Sequence, residues 1–266
     1  RRFATWKQLT AADAASAEKA LYVDIMAVEK RLGWKKPGDM TPEAFYARAR
    51  DTRFWIRNAQ KKVTRSSIQI ARILQMLGKG RGRAEYLPVD VVRRRHQQID
   101  FLQDWMQRTI LTSSDGRQTT LAKVTEGAAS RQLAELDIRA IAQYEIAKRR
   151  GWGAYILTVT TPSRFHASST RGPKGKQWSV PNPAFNPSLT ANDSVAWLQD
   201  KWVKFRALAQ KICGPGGWDS FGALEGHTDA TGHRHIIIYC PHSVVSQLTD
   251  AAYKAFLFSD NPNEPG

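Results

Sequence analysis

Three histidines and a carboxylate lie close together near the C-terminal end of the sequence, in a pattern that suits a metal ion. Residues 225–239 read EGHTDATGHRHIIIY and contain Glu225, His227, His233 and His235. His233 and His235 lead directly into three isoleucines, and a β-branched run of this kind is typical of a strand. Alternate side chains of a strand point to the same face, so we expect both imidazoles to face the same way.

The segment before the histidine strand is predicted to pair with it as an antiparallel hairpin. If His227 lies opposite His233, then Glu225 lies opposite His235 and all four side chains share one face of the sheet. A shift of one residue would divide them between the two faces. Gly232 favours the first arrangement, because a glycine after a tight turn can adopt the left-handed conformation of a bulge.

Two imidazoles and a carboxylate form a mixed set of nitrogen and oxygen ligands. Such a set suits Mg²⁺, Mn²⁺ or Zn²⁺ better than a soft, thiophilic metal. We therefore predict a divalent metal site formed by Glu225, His233 and His235, with His227 as an alternate ligand. An ordinary exposed pair of histidines is the alternative. The metal site is favoured because four of the six histidines lie between His227 and His242.

The 266-residue chain carries a formal net charge of +16, and this charge is unevenly distributed. Residues 1–150 hold 30 of the 40 Lys and Arg residues but 16 of the 24 Asp and Glu residues. Residues 151–266 are close to neutral. A strongly basic region gains affinity for a polyanion through counterion release when its cations contact phosphates. We therefore expect the first 150 residues to bind nucleic acid, and a merely solvated basic surface is the alternative.

The sequence indicates an intracellular protein without a membrane segment. No apolar run approaches the roughly 20 residues that a membrane helix needs, and no secretion signal opens the chain. Cys213 and Cys240 are widely separated, which argues against a zinc ribbon and against a disulfide scaffold. Because the chain starts at Arg1 without Met, we expect it to be an excerpt, with further functional residues outside it.

The basic region is predicted to be all helical. The first helix is expected to begin near Thr10 and to end at Gly33. Further helices are expected to begin at Thr41 with Pro42, at Ser66 or Ser67, and at Pro88. The last helix is expected to begin near Ser130 and to end at Gly151. Residues 79–83 form a basic, glycine-rich loop between two of these helices. The predicted DNA contacts of this region are Arg81 and Arg83 in the loop and Arg93 and Arg94 early in the following helix.

After Gly151 the pattern changes to that of an α+β domain with an antiparallel sheet and helices on one face. Its first strand covers residues 155–160. Segment 163–188 is too irregular for a regular element and is interpreted as a functional loop, with Lys174 and Lys176 as predicted DNA contacts. The remaining elements are a helix capped by Thr190 and ended at Gly214, the histidine hairpin, and a helix near residues 244–258.

Three of these features, taken in order, resemble one known family. They are the strand and turn LTVTTPSRFHA at residues 157–167, the motif E-x-H-x-D-x-x-x-H-x-H that begins at Glu225, and the apolar strand that follows it. This combination is similar to the replication gene A proteins of tailed temperate phages, which belong to the wider HUH class of rolling-circle nicking endonucleases. The similarity extends upstream through residues 50–55 and covers most of the chain.

The resemblance implies a basic helical DNA-binding region (residues 1–150) followed by an HUH-type nuclease domain (residues 151–266). That domain would have a ferredoxin-like or palm-like antiparallel sheet, with the two histidines on its central strand. By position, His233 and His235 match the family's two metal-binding histidines, and Glu225 matches the family's carboxylate ligand. His227 is a competing or additional ligand. The ion would act as a Lewis acid on the scissile phosphate. A tyrosine would attack and leave a 5′-phosphotyrosine link and a free 3′-hydroxyl.

The resemblance also assigns roles to residues around the first strand. Thr158 and Thr160 resemble the family's first motif, and Arg164 and His166 would contact the single strand near the cleavage point. Polar residues at a strand end and in a turn are the alternative interpretation of these positions. The sequence departs from the family at Arg234, where a bulky apolar residue is usual between the histidines. We expect its stem to lie on the covered face of the sheet and its head to reach solvent or a carboxylate.

A second departure concerns the nucleophile. The family carries a Tyr-x-x-x-Tyr pair on a helix after the histidine strand, and no such pair follows Tyr239. Tyr253 is the only tyrosine in the remaining segment, and we interpret it as a core aromatic residue. The nucleophilic tyrosine is therefore expected beyond Gly266.

The sequence thus predicts a metal-dependent endonuclease that nicks one DNA strand at an origin and initiates phage rolling-circle replication in the cytoplasm of the bacterial host. The implied partners are single-stranded origin DNA and a host helicase. One alternative is a non-catalytic DNA-binding protein with a vestigial metal site. Another is a metal-dependent hydrolase of a small molecule, which would leave the basic half of the chain unexplained.

Overall fold

A computed structural model of the chain describes residues 50–257 together with Thr41, Ala44, Ala47 and Arg48. The helix predicted between Thr10 and Gly33 lies outside the described residues. Contacts divide the chain into two compact units, residues 1–67 and residues 68–266. The boundary near residue 150 was predicted from composition and charge, and it stays a prediction about the DNA-binding and nuclease regions.

Two long helices precede residue 109. Helix α1 (Thr52–Ile73) follows Asp51, whose Oδ1 accepts a hydrogen bond from the Arg53 N–H at 2.8 Å. The helix is continuous through Ser66 and Ser67, so the predicted restart there is wrong. No glycine or proline interrupts that stretch, and serine tolerates a helix interior. Helix α2 (Val89–Arg108) begins directly after Pro88, as predicted.

A short antiparallel hairpin, which the sequence did not predict, follows α2. It consists of β1 (Ile110–Thr112) and β2 (Gln118–Thr120), so the expectation that residues 1–150 are all helical is wrong here. The short helix α3 (Leu121–Thr125) comes next, and its N-cap Thr120 accepts a hydrogen bond from the Lys123 N–H at 3.2 Å. Helix α4 (Ala128–Arg149) ends just before Gly151, which has a positive φ of 66° as helix-terminating glycines commonly do.

The remaining strands form two separate antiparallel sheets. These strands are β3 (Gly153–Thr160), β4 (Ser168–Arg171), β5 (Trp178–Pro181), β6 (Asp219–Gly226) and β7 (Gly232–Cys240). The larger sheet has the order β3-β7-β6, so the histidine strand is central. Strands β4 and β5 pair with each other inside the segment that was interpreted as a loop without regular elements. That interpretation is therefore wrong in part.

Helix α5 (Ala191–Cys213) covers one face of the β3-β7-β6 sheet. It begins with a capping box in which Thr190 and Asp193 exchange hydrogen bonds, as the sequence predicted for Thr190. Its Leu198 and Phe205 are fully buried against the sheet, and each contributes roughly 1.5–3 kcal/mol through the hydrophobic effect. Helix α6 (Val245–Ala252) continues into a π-helical turn (Tyr253–Leu257) and packs on α5.

The opposite face of this sheet is called here the open face. It carries alternate residues of the three strands, including Thr158, His235 and Ala223, which lie in one row across the sheet. The C-terminal part of α4 covers the far end of this face, where Gln143 Nε2 donates to Asp219 Oδ1 at 3.0 Å. At the end that carries the histidines, the side chains of His235 and Glu225 are 44% and 58% exposed among the described residues. The molecule is therefore a mixed structure of helices and antiparallel sheets, as predicted.

Within the described part of the chain, no helix is both long enough and apolar enough to cross a membrane.

Candidate metal centre

The histidine hairpin forms as predicted, but in a different register. Glu225 lies opposite His233, and Ala223 lies opposite His235. The predicted pairing of His227 with His233 and of Glu225 with His235 is therefore wrong by two residues. Because side chains alternate with a period of two, this shift keeps Glu225, His233 and His235 on the same face.

The turn between β6 and β7 explains the difference in register. It comprises residues 227–231, with Ala230 rather than Gly232 in the left-handed conformation, at φ 67°. The His227 N–H donates to the Thr231 carbonyl at 2.7 Å and closes the turn. Gly232 instead begins β7, where an added Cβ would lie 2.9 Å from Leu198 Cδ1. Glycine at this position therefore lets the strand approach α5 closely.

Each histidine of the pair contacts a threonine on the neighbouring strand β3. His235 Nδ1 lies 3.0 Å from Thr158 Oγ1, and His233 Nδ1 lies 3.1 Å from Thr160 Oγ1. These contacts follow from the pairing of β3 with β7, in which each threonine is opposite its histidine. If the threonine hydroxyl accepts a hydrogen bond from Nδ1–H, the imidazole proton stays on Nδ1. The ring then carries a free lone pair on Nε2. Both Nε2 atoms are then able to bind a cation.

Glu225 lies beside the pair without touching it. Its Oε2 is 3.9 Å from His235 Nε2, and the rings of His233 and His235 are 4.6 Å apart between centroids. Burial lowers the pKa of His233, as do the positive charges that His235 and His227 carry when protonated. A lowered pKa favours the neutral imidazole, which is the form that binds a metal.

A second group of ligand atoms is more tightly assembled than the predicted set. Within the described residues, one group of three His, Cys, Asp or Glu side chains has all its ligand atoms within 4.8 Å of one another, and it consists of His166, His227 and Asp229. The His227 ring lies 5.4 Å from that of His166 and 6.0 Å from that of His233. His227, the predicted alternate ligand, therefore lies between the two groups. The set of Glu225, His233 and His235 stays a prediction.

His166, one of the predicted DNA contacts, is largely buried. Its side chain is 12% exposed, and that of Asp229 is 1% exposed. His166 Nδ1 lies 3.0 Å from Asp229 Oδ2, and His166 Nε2 lies 3.0 Å from the backbone carbonyl of Thr161. Asp229 Oδ1 also accepts from the Thr231 hydroxyl at 2.6 Å. These contacts join the turn between β6 and β7 to the loop that follows β3.

The ionisation of Asp229 depends on this network. Burial by itself raises the pKa of Asp229, but the contacts with His166, His227 and Thr231 and the charge of His166 outweigh burial and hold the pKa well below its usual range. A carboxyl with a lower pKa in the folded state stabilises the fold above its unfolded pKa of about 3.9. That contribution is lost as the pH falls from there towards the folded pKa.

Acid is therefore expected to destabilise the wild-type chain through Asp229. The free energy of unfolding should fall between about pH 5 and about pH 3, and it should fall less in Asp229→Asn, which has no carboxyl to protonate. Urea denaturation at several pH values measures the slope of the free energy of unfolding against pH for both proteins. Asp250→Asn removes an exposed carboxyl of α6 and is the control. Equal slopes in wild type and Asp229→Asn would contradict the assignment.

Two basic loops that are distant in sequence lie side by side. The Lys79 N–H donates to Ser179 Oγ at 2.7 Å, and the Ser179 N–H donates to the Lys79 carbonyl at 2.8 Å. Gly78, at φ 119°, permits this contact, because an added Cβ would lie 2.4 Å from Ser179 Oγ. The glycine-rich loop at residues 79–83 is therefore fixed against the β4–β5 hairpin.

This arrangement brings together four of the predicted DNA contacts. Arg81 of the glycine-rich loop and Lys174 and Lys176 of the β4–β5 connection are exposed. Arg83 is half-buried, and its Nη1 donates to the Leu77 carbonyl at 3.2 Å. The following segment reaches the turn between β6 and β7, where the Tyr86 N–H donates to the Thr228 carbonyl at 3.0 Å. The basic loops thus connect directly to the turn that carries His227.

The other predicted DNA contacts have partners within the protein or lie elsewhere. Arg93 is exposed on α2, and Arg94 pairs with Asp90 at 2.6 Å. Arg164 is half-buried, with its guanidinium carbon 5.0 Å from the centre of the Phe165 ring. None of these positions belongs to the pair of loops fixed by Ser179.

Sequence reasoning missed Arg72, which organises the loop after β3. Its side chain is fully buried, with Nη1 donating to the Leu189 carbonyl at 3.1 Å and Nη2 donating to the Phe165 carbonyl. Its guanidinium carbon lies 5.3 Å from the centre of the Phe185 ring. Burial lowers the pKa of Arg72, while Asp229 and Asp193 oppose that effect. The basic composition of α1 gave no signal that one arginine would be enclosed.

One further expectation is confirmed and another is wrong. Arg234 lies on the covered face with a half-buried side chain, and its head reaches solvent as predicted, since its hydrogen bond to Gln199 is exposed. Its guanidinium carbon lies 4.8 Å from the Trp202 ring centre, and its Nη1 donates to Gln199 Oε1 at 3.3 Å. Tyr253 is 51% exposed and borders a groove along β3, so its interpretation as a core aromatic residue is wrong.

Comparisons with known proteins agree with the resemblance. The chain is 30% identical over 171 residues to a protein named probable replication protein P12 of Pseudoalteromonas phage PM2, and the alignment covers 62% of this chain and 24% of that protein. It is 32% identical over 123 residues to proteins named probable replication endonuclease from a prophage-like region, in Salmonella paratyphi A and Salmonella typhi. Those alignments cover 46% of this chain and 14% of each relative.

The chain therefore spans about a quarter or less of the length of these relatives. No solved structure matches it. The sequence model of the bacteriophage replication gene A proteins (GPA) matches residues 7–264, a range that includes β3, the turn after it and the histidine hairpin. That match covers nearly the whole chain and confirms the predicted relationship: the chain belongs to the bacteriophage replication gene A protein family.

Proposed function

We propose that this chain forms the metal-binding and DNA-binding part of a phage replication endonuclease that nicks one DNA strand at an origin. The observation that carries the proposal is the placement of His233 and His235 on the central strand, with each Nδ1 against a threonine of β3. The printed names of the Salmonella relatives, which describe replication endonucleases, support the same activity.

The residues present fit a divalent ion such as Mg²⁺ or Mn²⁺, with Zn²⁺ also suited to the donor set. His233 and His235 would supply two nitrogens and Glu225 an oxygen, and a small closure of the 3.9 Å gap between Glu225 and His235 would complete the set. When bound, the ion supplies Lewis-acid stabilisation of charge on the scissile phosphate. Thr158 and Thr160 hold the imidazole protons on Nδ1 and orient the rings.

The remaining chemistry of the proposal is that of the HUH class. The β3-β7-β6 sheet with α5 on its covered face supports a ferredoxin-like or palm-like nuclease domain, since its central strand carries the histidines. The oxygen of a tyrosine attacks the scissile phosphorus and forms a 5′-phosphotyrosine bond, while the bond from phosphorus to the 3′ oxygen breaks. The proton lost by the phenol is balanced by protonation of the leaving 3′ oxygen, which gives the 3′-hydroxyl that primes rolling-circle replication. This tyrosine was expected beyond Gly266, and relatives several times longer than the chain leave room for it.

The basic loops near the open face would hold the DNA strand. Arg81, Lys174 and Lys176 present three exposed cations on two loops that are fixed to each other by Ser179. Positive side chains in this arrangement bind phosphates without reading bases. Single-stranded origin DNA as substrate, a host helicase as partner and the bacterial cytoplasm as location belong to this proposal.

The decisive test uses labelled single-stranded origin DNA with and without Mn²⁺. It follows strand cleavage and covalent attachment of the 5′ end to protein, for this chain and for a version extended by the sequence that follows it in the gene. Metal-dependent attachment in the extended version is expected. DNA binding without metal uptake or cleavage in either version would favour a non-catalytic DNA-binding protein and overturn the proposal.

Replacing Lys174 and Lys176 with glutamine is expected to weaken binding of single-stranded DNA and to make it less sensitive to salt. Each phosphate contact contributes about 0.7 to the slope of log K against log salt, so the double variant should lose up to roughly 1.4 from that slope. Fluorescence anisotropy at several salt concentrations measures it.

The matched control for this variant removes two cations from the other side of the sheet. Lys211 and Lys254 are exposed on α5 and on the turn after α6, which pack on the covered face. The variant Lys211→Gln/Lys254→Gln has the same net charge as the test variant. An equal change of slope in both would show that net charge rather than the β4–β5 loop governs binding.

A further inference from the structure

We propose that His166, His227 and Asp229 form a second divalent-cation site, separate from the His233 and His235 pair. The site would tie the turn between β6 and β7 to the loop after β3. It draws on a different set of ligand atoms from the proposed nuclease centre, and it does not depend on the nicking activity.

Two separations between the ligand atoms, which all lie within 4.8 Å of one another, are compatible with a coordinated ion. His166 Nδ1 lies 3.0 Å from Asp229 Oδ2, and His227 Nδ1 lies 3.4 Å from Asp229 Oδ1. Nitrogen and oxygen ligands lie about 2.0–2.1 Å from a tetrahedral Zn²⁺, which places them roughly 3.3 Å from one another. The two observed separations therefore match neighbouring ligands of one ion.

The contacts of His166 fix which of its nitrogens faces this site. His166 Nε2 lies 3.0 Å from the Thr161 carbonyl and 3.2 Å from the Thr161 hydroxyl. The proposal takes the tautomer in which Nε2–H donates to the carbonyl, which only accepts hydrogen bonds. A metal-binding histidine commonly donates its second N–H in this way. Its Nδ1 then faces the Asp229 carboxylate, which also only accepts. In this tautomer a cation lies between these two atoms, either a second ring proton or a metal ion.

His227 distinguishes between these two possibilities. Its Nδ1 is buried and makes no hydrogen bond of normal geometry, although it lies 3.4 Å from Asp229 Oδ1. A proton on His166 satisfies His166 and Asp229 and leaves His227 Nδ1 unpaired. A metal ion satisfies all three side chains together. Thr231 Oγ1, 3.2 Å from His166 Nδ1, lies at the edge of the same site.

The ligand chemistry and the burial indicate Zn²⁺ in a structural role. Two imidazoles and one carboxylate suit Zn²⁺. The side chains of His166, His227 and Asp229 are 12%, 37% and 1% exposed, so the site has little access for a substrate. An ion here would hold two loops at the edge of the open face. It would also engage His227, which leaves Glu225 as the third ligand of the neighbouring pair.

The test counts Zn²⁺ ions bound per chain by isothermal titration and elemental analysis, after the purified protein has been stripped with a chelator. Wild type is expected to bind two ions. His227→Ala should bind one, and His233→Ala/His235→Ala should also bind one. His227→Ala is chosen because its ring makes no normal hydrogen bond that folding would lose. His96→Ala removes an exposed histidine of α2 and should leave both ions in place.

Thermal unfolding separates the two sites without reference to cleavage. Zn²⁺ should raise the melting temperature of His233→Ala/His235→Ala, and this rise should disappear when His227→Ala is added. A single ion that His227→Ala leaves in place and His233→Ala/His235→Ala removes would overturn the second site but keep the proposed nuclease centre. A single ion that His233→Ala/His235→Ala leaves in place and His227→Ala removes would support the second site and count against the proposed nuclease centre. One ion removed by both variants, or no ion in wild type, would overturn the second site.

Discussion

Replacing His233 and His235 together with alanine is expected to abolish metal-dependent cleavage of single-stranded DNA. An ion that polarises a phosphate contributes several kcal/mol to transition-state stabilisation, so the single-turnover rate should fall on the order of 1000-fold or more. Both side chains are only half-buried on the open face, and neither belongs to the core against α5. The variant should therefore fold and keep its affinity for DNA. Rapid-quench measurement with Mn²⁺, using the version that carries the expected tyrosine, determines the rate.

Two companion variants make this result interpretable. Thr158→Val removes the hydroxyl that contacts His235 Nδ1 and should lower the metal affinity by roughly 10- to 100-fold. Ile156→Ala shortens a side chain that is 77% exposed on the same face of β3, and it should cleave like wild type. A double histidine variant that bound DNA and cleaved at the wild-type rate would show that the metal pair has no part in the reaction.

Replacing Asp229 with alanine is expected to lower the free energy of unfolding by about 3–5 kcal/mol, because it leaves buried partners without their acceptor. His166 Nδ1 loses the contact at 3.0 Å, and the Thr231 hydroxyl loses the hydrogen bond at 2.6 Å. Urea denaturation at neutral pH in the presence of a chelator measures the effect of the network without any bound ion.

The control for this variant is Asp250→Ala, which removes an exposed carboxyl from α6. A surface substitution of this kind usually changes stability by no more than about 0.5 kcal/mol. Asp229→Asn keeps the shape of the side chain and should fall between the two alanine variants. Similar losses for Asp229→Ala and Asp250→Ala would mean that the buried network does not hold the turn in place.

The sequence predicted the face of the histidines but not their partners across the hairpin. Strand periodicity is a local property, so alternation was enough to place Glu225, His233 and His235 together. Register depends on the turn, and here the Asp229 side chain and the left-handed Ala230 shape it. Alanine carries no sequence signal for a positive φ, whereas glycine does. The prediction therefore assigned the special conformation to Gly232, two residues too late.

Short polar strands were the part of the fold that sequence patterns missed. Strand β2 reads QTT and β4 reads SSTR, and neither shows the alternation of apolar and polar residues that marks a strand. The long helices α2, α4 and α5 were predicted close to their observed bounds, because they carry apolar periodicity over many turns and recognisable caps.

The buried ionic contacts lay beyond prediction because they join distant parts of the chain. His166 and Asp229 are 63 residues apart, and Arg72 reaches a carbonyl 93 residues later. Charged residues are rarely enclosed unless they are paired, so each appeared in sequence as a surface residue. The family resemblance assigned His166 to DNA, whereas in the structure its side chain joins the loop after β3 to Asp229 in the turn between β6 and β7.

The position of β7 at the centre of its sheet has a consequence for how the protein is made. Thr158 and His235 contact each other although 77 residues separate them, and α5 lies between them in the chain. Pairings of such high sequence separation form slowly, since a long loop must close before they gain any energy. During synthesis, β3 leaves the ribosome well before its partner strand exists. The histidine pair is therefore expected to assemble late, which gives the nascent chain no competent centre until the hairpin has been translated.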